Sequence, residues 1–217
     1  MALEKGDLVL IDYVGRTDGE IFDLSSEEKA KENEVYDEER EYKPIPVLIG
    51  EEYVIEGLEE KIKEMDIDEE TEVEVSAEKA YGEREADKME TFPEKEFKKQ
   101  DVSVRVGERI MVGRKQGKVV SKGSGRVRID FNHPLAGKDL DYWVKIQEKV
   151  EDNEEKAEYI FNYRLGHGDI KFNGKKATII HTHEDDGHSH TLPEEAKEGI
   201  RDEIIDYTDI EEVEFEE

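Results

Sequence analysis

Between Lys98 and Arg128 the chain reverses its charge. That window holds ten Lys and Arg against two acids, Asp101 and Glu108, a local net of +8 in a 217-residue chain whose net charge is −28. The remainder therefore carries −36, and a cationic block of this size inside an acidic chain reads as a separate module. Its composition narrows the choice. Gly107, Gly113, Gly117, Gly123 and Gly125 punctuate the alternating pieces VSVRV, RIMVGR, GKVVSKG and GRVRIDF, which predicts a small all-β unit. Downstream, Glu151–Glu217 carries 21 acids, 7 bases and five of the six histidines, and it opens on the charge run EDNEEKAE. No internal repeat is evident.

Several functions are excluded by what the chain carries. A net charge of −28 opposes non-specific attachment to nucleic acid or to an anionic membrane, so neither is expected as a partner. The absence of cysteine removes disulfides, thiolate nucleophiles and Cys-based zinc sites. The opening MALEKGDLVL meets charge at Glu4 and Lys5 and lacks the apolar run of a signal peptide, and no later stretch suits a membrane span. The expectation is a cytoplasmic protein.

The first part of the chain reads as alternating strand and turn. DLVLIDYV (Asp7–Val14) is an apolar strand and GRTDGE a turn; Ile21-Phe22-Asp23 then leads into the capped acidic segment SSEEKAKENEVYDEER. Ile55, Leu58, Ile62 and Met65 recur at i, i+3, i+7 and i+10, which predicts one short amphipathic helix. TEVEVS (Thr71–Ser76) alternates as a half-exposed strand, and DLDYWVKIQEKV (Asp139–Val150) supplies another. One helix against an antiparallel sheet is an α+β architecture.

Five segments in order carry a family resemblance: Tyr13 with GRTDG and Phe22-Asp23; Ile45-x-Val47-x-Ile49-Gly50; Val54-Ile55-x-Gly57-Leu58-Glu59; Ala80-Tyr81-Gly82; and Asn132-His133-Pro134-Leu135-Ala136-Gly137 leading to Tyr142. Together they resemble the FKBP-type peptidyl-prolyl cis-trans isomerases, in particular their long SlyD-like branch. The resemblance implies an antiparallel sheet wrapped on one short helix, formed by residues 1–86 and 130–150. It also implies an insert-in-flap chaperone domain over 87–129, followed by a small α+β C-terminal domain over 151–217. It places Tyr13, Phe22, Asp23 and Tyr81 as catalytic residues, with Ile45, Val54, Ile55, Leu58, Leu135 and Tyr142 as substrate-binding ones. Leu58 stands where many members place a tryptophan and Ile45 where many place a phenylalanine, so the implied pocket is apolar but less aromatic. The implied partners are unfolded or partly folded polypeptides containing X-Pro bonds.

Taken singly, the same residues read more plainly. Tyr13, Phe22, Ile55 and Leu58 suit any α+β core, and Asp23 before SSEE suits a cap or turn. Their joint order is what favours the isomerase over two alternatives, a non-catalytic holdase and a metal-handling protein on the same scaffold. Rotating an X–Pro bond needs no cofactor. In the acidic tail, His181, His183, His188 and His190 flank Glu184-Asp185-Asp186-Gly187, a turn-like tetrapeptide. Paired on a hairpin they would face the same way, a geometry suited to zinc or nickel. Tyr159, Phe161, Tyr163 and Leu165 alternate as a strand, Asn173-Gly174 signals a hairpin, and Pro193 opens a helix with Ala196, Ile200 and Ile204 on one face. A domain so small and acidic needs a further buried face, most simply a homodimer.

Overall fold

Strand β1 (Leu8–Thr17) buries eight of its ten residues, and the rest of its unit is assembled around it. The computed structural model describes residues 3–181 and 192–216. It divides into two compact units, Met1–Val75 with Asp141–Glu217, and Ser76–Leu140. In chain order, β1 is followed by β2 (Glu20–Leu24), α1 (Glu27–Glu32), β3 (Ile45–Leu48), α2 (Glu56–Lys63) and β4 (Glu70–Val75). The second unit adds β5 (Met89–Pro93), α3 (Glu94–Lys99), β6 (Arg109–Val112), β7 (Lys115–Gly123) and β8 (Arg126–Asp130). The chain then returns through β9 (Leu140–Val150), α4 (Asn153–Leu165), β10 (Asp169–Asn173), β11 (Lys176–Ile180), α5 (Glu194–Tyr207) and β12 (Glu212–Glu216). Among the described residues no helix is long and apolar enough to cross a membrane.

The first unit holds a five-stranded sheet in which β9 lies along one edge of β1 while β2 and β3 share the other, with β4 beyond β9. The expected helix is α2. Leu58, Ile62 and Met65 are buried, and Ile55 stands at its N-cap, its carbonyl accepting from the Leu58 and Glu59 amides. Ser26 caps α1 by accepting from the Lys29 amide. This is the α+β fold that the sequence predicts, an antiparallel sheet with few helices.

Two local expectations are corrected. The cationic module is not all-β. Its four strands run in the order β5-β8-β7-β6, but EKEFKK forms α3, which drops Phe97 into a core with Val104, Ile110, Val119, Val127 and Ile129. VSVRV forms no strand: its Val102 amide instead closes α3 by donating to the Phe97 carbonyl at 3.0 Å. The aromatic run Tyr159–Leu165 is helix, not strand. Asp152 caps α4 by accepting from Glu155 N, and Ala157, Ile160 and Phe161 form the buried stripe, the i, i+3, i+4 pattern that outweighs the alternation of rings.

The C-terminal segment packs within the first unit. β10 and β11 form the predicted hairpin, with Gly174 at φ +61° in its turn, and β12 adds in parallel beside β11 after the α5 crossover. On α5 the buried positions are Lys197, Ile200, Glu203 and Ile204, while Ala196 faces outward.

Candidate active site

Gly15 sits at the middle of a row that runs across three strands. In β1 it lies opposite Asp23 of β2 on one side and Tyr142 of β9 on the other. A side chain here would collide with Phe22, since a Cβ would lie 2.5 Å from the tip of that ring. Glycine therefore lets the Phe22 ring lie across the strand. A register shift between Gly15 and Arg16 marks a β-bulge at the same point. Phe22 meets Tyr142 edge-on at 5.9 Å between centroids, and Tyr13 lies 6.2 Å from Tyr142 at a tilt of 47°.

The polar side of this cluster is closed on itself. The Tyr13 hydroxyl donates to Asp23 Oδ2 at 2.5 Å. Asp23 Oδ1 accepts from Leu24 N at 2.9 Å and from the Arg40 guanidinium at 2.7 Å. Arg40 also donates to the Leu24 carbonyl and lies 5.4 Å from the Tyr42 ring centroid. Burial first, and the bond to Asp23 second, push the Tyr13 phenol well above the ordinary tyrosine range, so it stays a neutral donor. The Asp23 bond likewise raises the Arg40 guanidinium. Arg40 and Gly15 are the residues that sequence reading missed. Arg40 hides in the acidic run DEEREYK, 17 positions from the carboxylate it holds, and nothing in local spacing marks it.

The other anticipated residues fall as follows. Ile45 opens β3 opposite Ile11 and is half-buried. Val54 and Ile55 are half-buried immediately before α2, and Leu58 is buried within it. Tyr81 and Leu135 belong to the second unit. There the Tyr81 ring, 39% exposed, stacks on His133 at 4.0 Å and 13°. Leu135 lies half-buried in the turn after His133, its amide 3.3 Å from His133 Nδ1. Burial, then the positive charge of Arg109, lowers the His133 imidazole below its ordinary value.

Residues 1–112 match the family model described as FKBP-type peptidyl-prolyl cis-trans isomerase. The short-type peptidyl-prolyl cis-trans isomerase of Methanocaldococcus jannaschii is 38% identical over 146 residues, 67% of this chain and 93% of that relative. The chain belongs to the FKBP-type peptidyl-prolyl cis-trans isomerases. Residues 91–135 also match the model described as FKBP26, IF domain. The FKBP-type isomerase SlyD of Helicobacter pylori is 26% identical over 119 residues, 52% of this chain and 63% of that relative.

For an FKBP-type isomerase the chemical task is to twist a conjugated amide across a barrier of about 18–20 kcal/mol. No proton is transferred, no nucleophile attacks and no covalent bond is broken. Apolar walls and fixed donors suit the task. The planar amide carries charge on its oxygen that water stabilises, and the twisted state carries less, so a water-poor pocket penalises the planar state more. A thousandfold acceleration asks for about 4 kcal/mol.

Of the four histidines expected to hold zinc or nickel, His183, His188 and His190 lie outside the described residues. His181 is described, its Nε2 2.8 Å from His167 Nε2. Among the described residues no three His, Cys, Asp or Glu side chains gather as a metal site.

Proposed function

We propose that this isomerase grips the proline ring against Tyr13, Phe22, Tyr142 and the Val54-Ile55-Leu58 segment, and that its second unit acts as a chaperone by holding unfolded chains. The observation that carries the first half is the Asp23 network. With Tyr13 on one oxygen and Arg40 and the Leu24 amide on the other, the carboxylate holds the apolar wall in place and does not itself attack or shuttle protons. Tyr81 supplies the O–H for the substrate carbonyl, the role its family position implies. Amide rotation needs no Lewis acid, so any zinc or nickel at His181, His183, His188 and His190 would serve a purpose other than the isomerase step.

The second half is supported by the outer face of the module's sheet. Ile110, Val119, Val127 and Ile129 point into the core, leaving Arg109, Met111, Lys118, Arg126 and Arg128 exposed. Arg109 lies directly opposite Lys118, a like-charge pair that is unfavourable for the sheet alone. Val106 and Met111, 61% and 57% exposed, add apolar contact, and methionine adapts to varied partners. Such a surface suits loosely held segments of mixed acidic and apolar character. Operation in the cytoplasm belongs to the same proposal and rests on the dense charge and cysteine-free sequence.

Parallel assays test this reading. One follows cis-trans exchange in a short proline peptide, the other the proline-limited refolding of an unfolded protein, a step otherwise lasting tens of seconds or more. The reading expects both to be accelerated, with added salt weakening only the second. Refolding acceleration that never exceeds the peptide rate would count against capture by the second unit.

A further inference from the structure

The segment between β3 and α2 carries Val54 and Ile55, and it is held from outside by the C-terminal helices. Tyr53, immediately before them, is 7% exposed. Its ring faces that of Tyr163 on α4, with centroids 3.7 Å apart and planes within 12°. The Tyr163 hydroxyl donates to the Tyr53 carbonyl at 3.1 Å, so it holds the peptide plane that joins Tyr53 to Val54. Arg164 covers both rings at 5.0 and 5.4 Å. Its own guanidinium is forked onto buried Glu203 of α5 at 2.8 and 2.6 Å. Two residues before Tyr53, Glu51 accepts from the Tyr207 hydroxyl and pairs with Lys5 at 3.1 Å.

These contacts go beyond what is needed to attach a helix. A stacked ring, a hydrogen bond to the main chain and an arginine fixed by a bidentate ion pair converge on Tyr53, two residues before the N-cap of α2. Bidentate pairing and stacking both fix orientation as well as distance. Ile55 is the N-cap of α2, so a shift of the Tyr53–Val54 peptide is passed to both half-buried side chains and to the start of the helix.

We propose that Tyr163, acting through Tyr53, is a positioning residue for the isomerase reaction: the C-terminal segment sets how well Val54 and Ile55 meet the proline substrate. The proposal rests on the reading that these two residues contact substrate. Displacements of this kind change binding of the bound geometry more than they change the amide chemistry, so the effect falls on KM.

The experiment uses the full chain and a short proline peptide, with KM and kcat measured for wild type, Tyr163→Phe, Tyr163→Ala and Ile55→Ala. Near-UV circular dichroism and melting curves fix an assay temperature at which every variant is folded. Tyr163→Phe keeps the stacked ring and loses only the bond to the Tyr53 carbonyl, so KM rises about twofold; Tyr163→Ala loses both, and KM rises about fivefold with kcat near wild type. Ile55→Ala raises KM as well. If Ile55→Ala raises KM while folded Tyr163→Ala keeps the wild-type value, the positioning role is wrong and the pocket reading stands. An unchanged KM in Ile55→Ala overturns the pocket reading and this proposal with it. A fall in kcat alone in Tyr163→Ala would mark lost active protein and also overturn it. Should Tyr163→Ala fail to fold, Tyr163→Phe decides by the same criteria.

Discussion

Asp23 Oδ2 accepts the Tyr13 hydroxyl at 2.5 Å while Oδ1 accepts Arg40 at 2.7 Å, so a single carboxylate ties the central strand to the loop that follows α1. The Tyr13 bond is charge-assisted and contributes about 1.5–3 kcal/mol, while the Arg40 pair, with side chains 44% and 43% exposed, adds only about 0–1 kcal/mol. Asp23→Leu is therefore expected to lower kcat/KM about tenfold on a short peptide, without unfolding the protein. Tyr81→Ala should lower it comparably by removing the proposed carbonyl donor. Steady-state kinetics on both variants checks this, and wild-type efficiency in both would favour a holdase whose groove only tolerates proline.

Removal of the cationic module should separate peptide catalysis from protein refolding. The Phe131 amide donates to the Lys88 carbonyl at 2.9 Å, and Met89 lies opposite Asp130, so the two ends of the excised stretch are already neighbours. Deleting residues 89–130 and joining Lys88 to Phe131 through a short glycine linker closes the gap with little strain. Peptide isomerisation is expected to persist. Refolding acceleration should fall by about tenfold or more if, as proposed, the module raises the local concentration of client. Unchanged refolding acceleration would remove the capture role.

What the sequence made legible follows from how local the signals were. Leu58, Ile62 and Met65 announced α2 by spacing alone, and Asn173-Gly174 announced its hairpin, because one turn of helix or one tight turn writes its pattern into neighbouring residues. The Asp23–Arg40 pair and the Phe22–Gly15 contact were invisible, since both depend on strand register and on a loop 17 residues away. At Tyr159–Leu165 alternate rings masked the helical stripe of Ala157, Ile160 and Phe161. The correction also bears on assembly. Phe161, Ile200 and Ile204 are buried within the chain, whereas Tyr163 and Ala196 stay exposed, so a dimer through the C-terminal segment, sought by sedimentation, could draw on the latter two but not on the three buried side chains.

If Tyr81 contacts substrate as proposed, His133, on which its ring stacks, should link activity to pH. Its imidazole is lowered by burial and by Arg109, and it stacks on Tyr81. A histidine lowered in the folded state binds its proton more readily when unfolded. Stability is therefore full above the unfolded value of about 6.5 and declines as pH falls through it towards the folded value. Peptide isomerisation should be flat from pH 7 to 8 and fall only on the acid side of the ordinary histidine value of about 6.5. His133→Phe, which keeps a ring but cannot charge, should flatten the acid limb. A wild-type acid limb in His133→Phe would assign it to another group.

The Tyr53 hydroxyl offers a prediction in the opposite direction, a gain from deletion. It is buried and makes no hydrogen bond of good geometry among the described residues, although Glu203 lies near enough to raise it by its charge and by a weak hydrogen bond. An unmade buried bond costs about 1–3 kcal/mol, whereas the ring itself earns its place by stacking on Tyr163. Tyr53→Phe keeps the stack and deletes the orphan group, so the melting temperature at pH 7 should rise by about 2–4 °C for each kcal/mol recovered. The alkaline side adds a second readout. Burial, then the Glu203 charge, raises the Tyr53 phenol far above its ordinary value of about 10. A group raised in the folded state keeps its proton there after the unfolded chain has lost it, so stability drains away as pH climbs past about 10. Tyr13 is raised in the same direction, so Tyr53→Phe should reduce this alkaline loss without abolishing it. Thermal melts of both proteins at pH 7 and pH 10.5 decide the matter. A lower melting temperature for Tyr53→Phe at pH 7 would mean that the hydroxyl is bonded after all, through water or through Glu203.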